Sequence, residues 1–433
     1  MTSRTHSQRQ RSRSTSTPAP AVLPRLLPAD PWAGPTSVAA HLERYGAPWP
    51  GGSGRQREAL IDEVARSGLA GRGGAGFPTA RKLAAVASGR SPVVVANGTE
   101  GEPASAKDKV LLARSPHLVL DGAVAAAEIV GAGRVVVVVH HSVREIVDDA
   151  ATERRRAGSD RVPIEVLTGA DRFVGGEASA LVHWVERGVP TPTRTPPRPS
   201  EKGLGGRPTL VQNVETLAHL ALVSRYGADW FRAVGTTDQP GSMLVTVLGA
   251  VSRPHVDEVA IGTPVRRVLD LAGGVTAPLQ ALLLGGYFGS WVPASAADLP
   301  FSRGGLAPVG AGVGAGLVAA LPEDACGLVE TARVVRYLAD ESAGQCGPCV
   351  FGLDAIAGEL QRLAEGRTSD QSWLRRWLGQ VDGRGACSLP DGVVGLVRSC
   401  LTVFGPELAR HSRGWCCATS GTTILPVPLR ARP

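Results

Sequence analysis

Aromatic residues are scarce in this chain, at 4% of 433 positions, and methionine is nearly absent, with 2. Nucleic-acid surfaces interleave basic side chains with aromatic platforms. Here the arginines are scattered and the rings are few, so no nucleic-acid partner is expected. Long apolar runs are also missing. A bilayer span needs ~20 apolar residues, and the longest β-branched run, 135–139, is only strand-sized. The basic N-terminus lacks the apolar core of a secretory signal. These absences predict a cytoplasmic protein with no direct membrane span. Cysteine is sparse too: the 7 residues are an odd number and begin only at Cys326. In a reducing compartment, such late clustering favours metal ligation over disulfides.

Glycine, apolar residues and positive charge are plentiful. The chain has 54 glycines, 43% hydrophobic residues and a net charge of +7, and its length suggests two to four domains. The charge suits an acidic partner, although Arg4, Arg9, Arg11, Arg13 and Arg25 supply much of the excess. Residues 1–30 are polar, Arg-rich and Pro-rich, and residues 1–35 are read as a disordered basic tail. Between 36 and 235 the pattern alternates: a short helix at 58–67, a buried strand at 92–96, a helix from Ser115-Pro116 to about 130, and a strand at 135–140. A capping box at Ser142 and Glu145 opens the next helix, and a strand follows at 162–167. Strand, helix, strand, helix, strand predicts a Rossmann-like parallel α/β domain with its ligand site beyond the carboxyl ends of the strands. A proline-rich stretch, 188–208, wraps that domain. A second small domain, 240–322, alternates short β-patterns with a helix near 264–272. From 326 to 410 the apolar period becomes helical, and 411–433 is an irregular tail.

One loop dominates the first domain. Residues 68–83 read GLAGRGGAGFPTARKL, with Gly71, Gly73, Gly74 and Gly76 crowded around Arg72 and Ala75. Glycine lets backbone N–H groups approach an anion closely, and Arg72 and Lys82 add positive charge. This suits a phosphate cradle, although it is neither a Walker loop nor a spaced GxGxxG. The plain alternative is a flexible surface loop. Three further stretches stand downstream: NGTEGEP at 97–103 with Lys107-Asp108 after it, GGEA at 175–178, and EKGL…PT…NVET over 201–216.

In this order the four stretches resemble the NADH-binding flavoprotein component of respiratory complex I. They resemble equally the diaphorase components of NAD-linked hydrogenases and formate dehydrogenases. The resemblance implies an FMN-binding α/β domain, a small β-grasp domain and a C-terminal helical bundle carrying an iron–sulfur cluster. It implies hydride transfer from NADH to FMN, then single-electron release through the cluster. The expected partner is an iron–sulfur protein, either a thioredoxin-like [2Fe–2S] subunit or a ferredoxin. By the same resemblance Gly71, Arg72, Gly73, Gly74, Ala75, Gly76, Phe77, Lys82, Asn97, Lys202, Asn213 and Thr216 hold the cofactor. Glu100, Glu102 and Glu177 line the pocket as the reactive carboxylates. The alternative for each carboxylate is a helix cap or a surface position.

The chain also departs from the family. Phe77 keeps one of the rings that sandwich the adenine of NADH, but Ala85 and Gly205 stand where the family has the others. Ala178 replaces the second Glu of GEE, and Thr99 the Asp of NADE. Stacking is worth roughly 1–3 kcal/mol per ring, so the loss weakens NADH binding by roughly a hundredfold unless Phe173 or Trp184 refills the pocket. The family's cluster motif, ESCxxCxxC, reads ESAGQCGPC at 341–349. Ala343 replaces the first ligand, leaving Cys346, Cys349 and, 38 residues on, Cys387. Three thiolates suit a [3Fe–4S] cluster, or a [4Fe–4S] cluster completed by Ser342, water, Cys326, Cys400, Cys416 or Cys417. Two other readings remain: an FMN and iron–sulfur relay that does not use NADH, and a cluster-free scaffold.

Overall fold

The computed structural model of the chain describes residues 22–30, 32–367, 370–416, 418 and 423–428. Its first sheet is built from β1 (Val93–Gly98), β2 (Val135–Val139), β3 (Ile164–Thr168) and β4 (Thr209–Asn213), in the order β3-β2-β1-β4. All neighbours are parallel. Both faces of β2 are covered, which is why it can be five consecutive valines. Val135, Val137 and Val139 point to one core with the helices Pro116–Val130 and Val214–Arg232. Val136 and Val138 point to the other, with Leu181 and Val182 of the helix Ala178–Arg187. The helix Pro116–Val130 has Pro at its first turn and Gly131 at φ 74° as its C-cap. A Cβ on Gly122 would lie 1.8 Å from the Leu217 carbonyl oxygen, so only glycine allows these two helices to meet backbone to backbone.

Three expectations change here. β1 runs on through Asn97 and Gly98, which pair with β2, and Asn97 also with β4. The capping box at Ser142 does not form. Because β2 ends at Val139, His140 is the first residue to leave the sheet, and its Nδ1 accepts from the Ser142 amide at 3.2 Å. Part of the expected tail is also ordered. Residues 1–21 and 31 lie outside the described residues, but Leu26 and Leu27 are buried in the main core. The Arg25 guanidinium sits 3.9 Å from the Trp230 ring centroid, and the Arg25 and Leu26 amides donate to Glu258 at 2.7 and 2.6 Å.

The second sheet is mixed. It contains β5 (Ser242–Gly249), β6 (His255–Ala260), β7 (Leu279–Leu284), β8 (Ser290–Pro293) and β9 (Leu317–Pro322), in the order β6-β5-β9-β7-β8. One face packs on the helix Val265–Leu271. The other packs on the C-terminal helices Gly327–Asp340, Asp354–Ala364, Ser372–Val381, Leu389–Val403 and Gly405–His411. The two sheets are joined through buried polar bonds: Glu215 accepts from the Leu244 amide at 2.9 Å, and Arg72 donates to the Ser242 carbonyl. No single helix among the described residues is long and apolar enough to cross a membrane.

Candidate functional site

The glycine loop is pinched shut at its base. Ala70 bridges Pro78, and the Gly71 amide donates to the Phe77 carbonyl at 2.9 Å. Gly74 and Gly76 hold φ of 105° and 61°, which other residues adopt only with strain. The amides of Gly73, Gly74, Ala75 and Gly76 have no acceptor among the described residues. A Cβ on Gly73 would lie 3.3 Å from Asn213 Cβ, at the carboxyl end of β4. A run of unused amides at the carboxyl ends of parallel strands is an anion-binding concavity, so these residues fit a phosphate-bearing cofactor.

The charges beside the loop behave differently from the sequence expectation. Arg72 is buried and turned inward. Its amide donates to Thr216 Oγ1 at 2.9 Å, and its guanidinium donates to the carbonyls of Ser242 and Ala70. It therefore braces the loop and offers no free charge to a phosphate. Lys82 Nζ donates to the Val211 carbonyl at 2.9 Å, and burial lowers its pKa. An ammonium has two more hydrogens to give. Phe77 is 39% exposed, with the Arg81 guanidinium 5.7 Å from its ring centroid.

The three carboxylates separate. Glu100, at φ 44°, accepts from Ser105 Oγ at 2.6 Å and from the amides of Asp108 and Lys109 at 3.0 and 2.9 Å. It thereby serves two first-turn amides of the helix Lys107–Arg114, whose N-cap residue is Ala106. Glu177 accepts from the Ser179 and Ala180 amides at 2.9 and 2.8 Å and caps the helix Ala178–Arg187. Glu102 caps nothing. It crosses to the second sheet and accepts from the Tyr287 amide at 2.9 Å. Burial, reinforced by the nearby Glu100, pushes its carboxyl up to about 7. Asn97 donates to the Gly176 carbonyl at 2.9 Å and accepts from Thr99, whereas Asn213 caps the helix Val214–Arg232.

A buried ion cluster beneath these residues escaped the sequence reading. Lys107 Nζ lies 2.7 Å from Asp108 and 2.8 Å from Glu215, and Asn213 donates to Asp108 at 2.6 Å. Its signal in the sequence is split between the Lys107-Asp108 pair and Asn213 and Glu215 of the NVET stretch, with nothing local to show that they meet. The two carboxylates hold the lysine charged and its pKa well above the usual value.

Among the described residues, Lys202 has no hydrogen bond to the glycine loop. It lines a cleft of about 550 Å³ with Ser179, His183, Glu186, Arg194 and Gly205. Both expected replacement rings are half-buried and already have partners. Phe173 packs among Tyr287, Phe288 and Tyr337, and Trp184 donates to the Thr168 carbonyl at 2.8 Å beside β3.

The three cysteines gather at one mouth of the C-terminal helices. The Cys349 amide donates to the Cys346 carbonyl at 3.0 Å. Burial and the sulfurs of Cys346 and Cys387 push the Cys349 thiol up to about 12. Burial raises the Cys387 thiol as well. Three converging sulfurs are a soft donor set, so these residues fit an iron–sulfur cluster. Cys326 and Cys400 do not complete it. Cys400 is fully buried within the helix Leu389–Val403. Cys326 precedes the helix Gly327–Asp340 while the motif follows it, a separation of about 20 Å at ~1.5 Å per residue. Cys416 lies with Cys326, and Cys417 is outside the described residues. Glu341, beside Ala343, joins this region to the first sheet by accepting from the Phe173 amide at 2.8 Å and from Arg172 Nε at 3.3 Å.

Comparison with known proteins yields consistent matches. A family profile described as the Nuo51 FMN-binding domain matches residues 64–222. One described as the NADH-ubiquinone oxidoreductase-F iron-sulfur binding region matches 330–411, and an SLBB domain profile matches 244–286. The chain is 32% identical over 383 residues to the F subunit of the NADH-quinone oxidoreductase of Mycobacterium tuberculosis, covering 83% of this chain and 85% of that one. It is 29% identical over 374 residues to the second F-type subunit of the NADH-quinone oxidoreductase of Rhizobium meliloti, covering 82% and 89%. A crystal structure of an NAD+-reducing [NiFe]-hydrogenase in the air-oxidized state matches with a TM-score of 0.77 at 30% identity. That match covers 84% of this chain but only 64% of the hydrogenase chain, less than two thirds of its length.

Proposed function

The chain belongs to the family of NADH-quinone oxidoreductase F subunits, and from that premise we propose that it carries electrons from NADH through FMN to an iron–sulfur cluster and on to a partner. The observation that carries the reading is the run of unused amides from Gly73 to Gly76 at the carboxyl ends of β1 and β4. Those amides and Lys82 would hold FMN, with Asn97 and Asn213 beside them, while Cys346, Cys349 and Cys387 would hold the cluster. FMN accepts a two-electron hydride and releases single electrons, which an iron–sulfur cluster can carry. Glu100, Arg72 and the Lys107 cluster fix the backbone around the cradle. Glu102, able to hold a proton near neutral pH, is the pocket carboxyl that can hydrogen-bond as a donor or as an acceptor.

The same reading assigns residues 36–235 to the flavin domain, 240–322 to a β-grasp domain and 326–410 to the cluster domain, in a cytoplasmic subunit. Its partner would be a thioredoxin-like [2Fe–2S] subunit or an acidic ferredoxin, docked by charge. A second reading, a relay between proteins without NADH, is favoured by Ala85, Gly205 and Ala178, which stand where the family has two rings and a carboxylate. An anaerobic NADH titration of FMN-reconstituted protein tests the pair. Bleaching of the flavin absorbance at micromolar NADH supports the first reading. Flavin that dithionite reduces and millimolar NADH does not overturns it in favour of the relay.

A further inference from the structure

The C-terminal helices bring together a second set of soft ligands. Cys326, His411 and Cys416 place their ligand atoms within 4.8 Å of one another. None of the three belongs to the cluster motif, and about 20 Å of helix separates Cys326 from it. Cys326 and His411 are buried and Cys416 is exposed, so the group is open to solvent on one side.

The histidine is already set up as a ligand. His411 Nδ1 lies 2.5 Å from the Ala364 carbonyl, which can only accept. Nδ1 therefore carries the hydrogen, and the lone pair is on Nε2, which faces Cys326 Sγ at 3.4 Å. A backbone carbonyl that fixes the ring in this way is the usual outer partner of a metal-bound histidine. The Ala418 amide also donates to Cys416 Sγ at 3.4 Å, which ties the sulfur to the chain beyond it.

We infer that Cys326, His411 and Cys416 bind a single zinc ion at a site distinct from the iron–sulfur ligands. Two thiolates and a neutral imidazole are a zinc donor set, with the fourth tetrahedral position on the solvent side. Binding releases the two thiol protons, so the dication meets two negative charges and the site is neutral. The ion would staple three elements at once: the start of the helix Gly327–Asp340, the end of the helix Gly405–His411, and the chain beyond it. That chain continues to Leu425, which is buried and whose amide donates to Glu330 at 2.9 Å.

The test is metal analysis of the full-length protein after expression with added zinc, with iron measured in the same samples. The inference expects one zinc per chain in the wild type. Cys416→Ser, an exposed position, should lose zinc at least tenfold more readily to a chelator while its iron is unchanged. Cys387→Ser should lose iron and keep zinc. Cobalt substitution of the wild type should give thiolate-to-cobalt absorption that Cys416→Ser diminishes. Absence of zinc from the wild type, zinc that leaves with Cys387→Ser, or a Cys326–Cys416 disulfide in non-reducing peptide maps would each overturn it.

Discussion

Single side chains near the cradle are decided by what they can reach. Arg72 sits in a stretch whose glycines and charge suggest anion binding, yet its guanidinium turns to the carbonyl of Ser242, 170 residues away in the chain. No local pattern carries that information. The backbone part of the site was legible, because crowded glycines announce a loop whose amides can converge. Glu102 shows the same contrast. Its motif marks it as one of three equivalent acids, and only burial against Tyr287 singles it out. Its carboxyl, ordinarily near 4.5, titrates at about 7 in the folded chain. Below 4.5 it is protonated in both folded and unfolded states. As pH rises from there through about 7, the folded state alone keeps the proton, so wild-type stability falls across that window. Glu102→Gln removes the ionisation and keeps an acceptor for the Tyr287 amide. Calorimetry should show the variant gaining on the wild type between about pH 5 and about pH 8.5, by ~1–3 kcal/mol. A difference that stays flat with pH would show that the carboxyl ionises normally.

Elements are where the chain was most readable, and where its polar ends misled. Five valines in β2 and the Pro116 start of the preceding core helix state their structures locally, through two-sided burial and a first-turn proline. The start of the next helix did not, because His140 reaches the Ser142 amide before a capping box can close. Glu100 and Glu177 illustrate the same competition: an acidic residue before a helix serves unpaired amides. Lys107, paired with Asp108 on its own helix, reaches Glu215 on the helix Val214–Arg232, and both carboxylates are buried. Lys107→Met leaves Asp108 without its cation and Glu215 with only Arg72, 3.9 Å away, and urea unfolding should report a loss of about 3–5 kcal/mol. Adding Glu215→Gln should recover part of it. A loss below ~1 kcal/mol in the single variant would mean that the carboxylates simply take up protons.

At the scale of the whole molecule, the cradle and the cysteines sit on different units, and Glu341 is one tie between them, beside Gln345, which donates to the Pro192 carbonyl. Its carboxylate holds the Phe173 amide and Arg172, while its neighbours lead to Cys346 and Cys349. Glu341→Ala removes that anchor, worth ~1.5–3 kcal/mol for a bond to a charged group. The expected outcome is an unchanged FMN content with iron per chain reduced by half or more, read by flavin fluorescence and iron assay. Equal loss of both would make Glu341 a general fold residue, and loss of neither would remove it from the coupling. The sequence alone determined the parallel sheet, the glycine cradle and the three thiols, because burial period, backbone freedom and ligand spacing are local properties. The tertiary structure alone decided which carboxylates serve helix amides, that Arg72 faces inward, and that Cys326 meets His411 and Cys416. Those outcomes depend on which distant backbone and side-chain groups a residue finds once the helices and both sheets have packed.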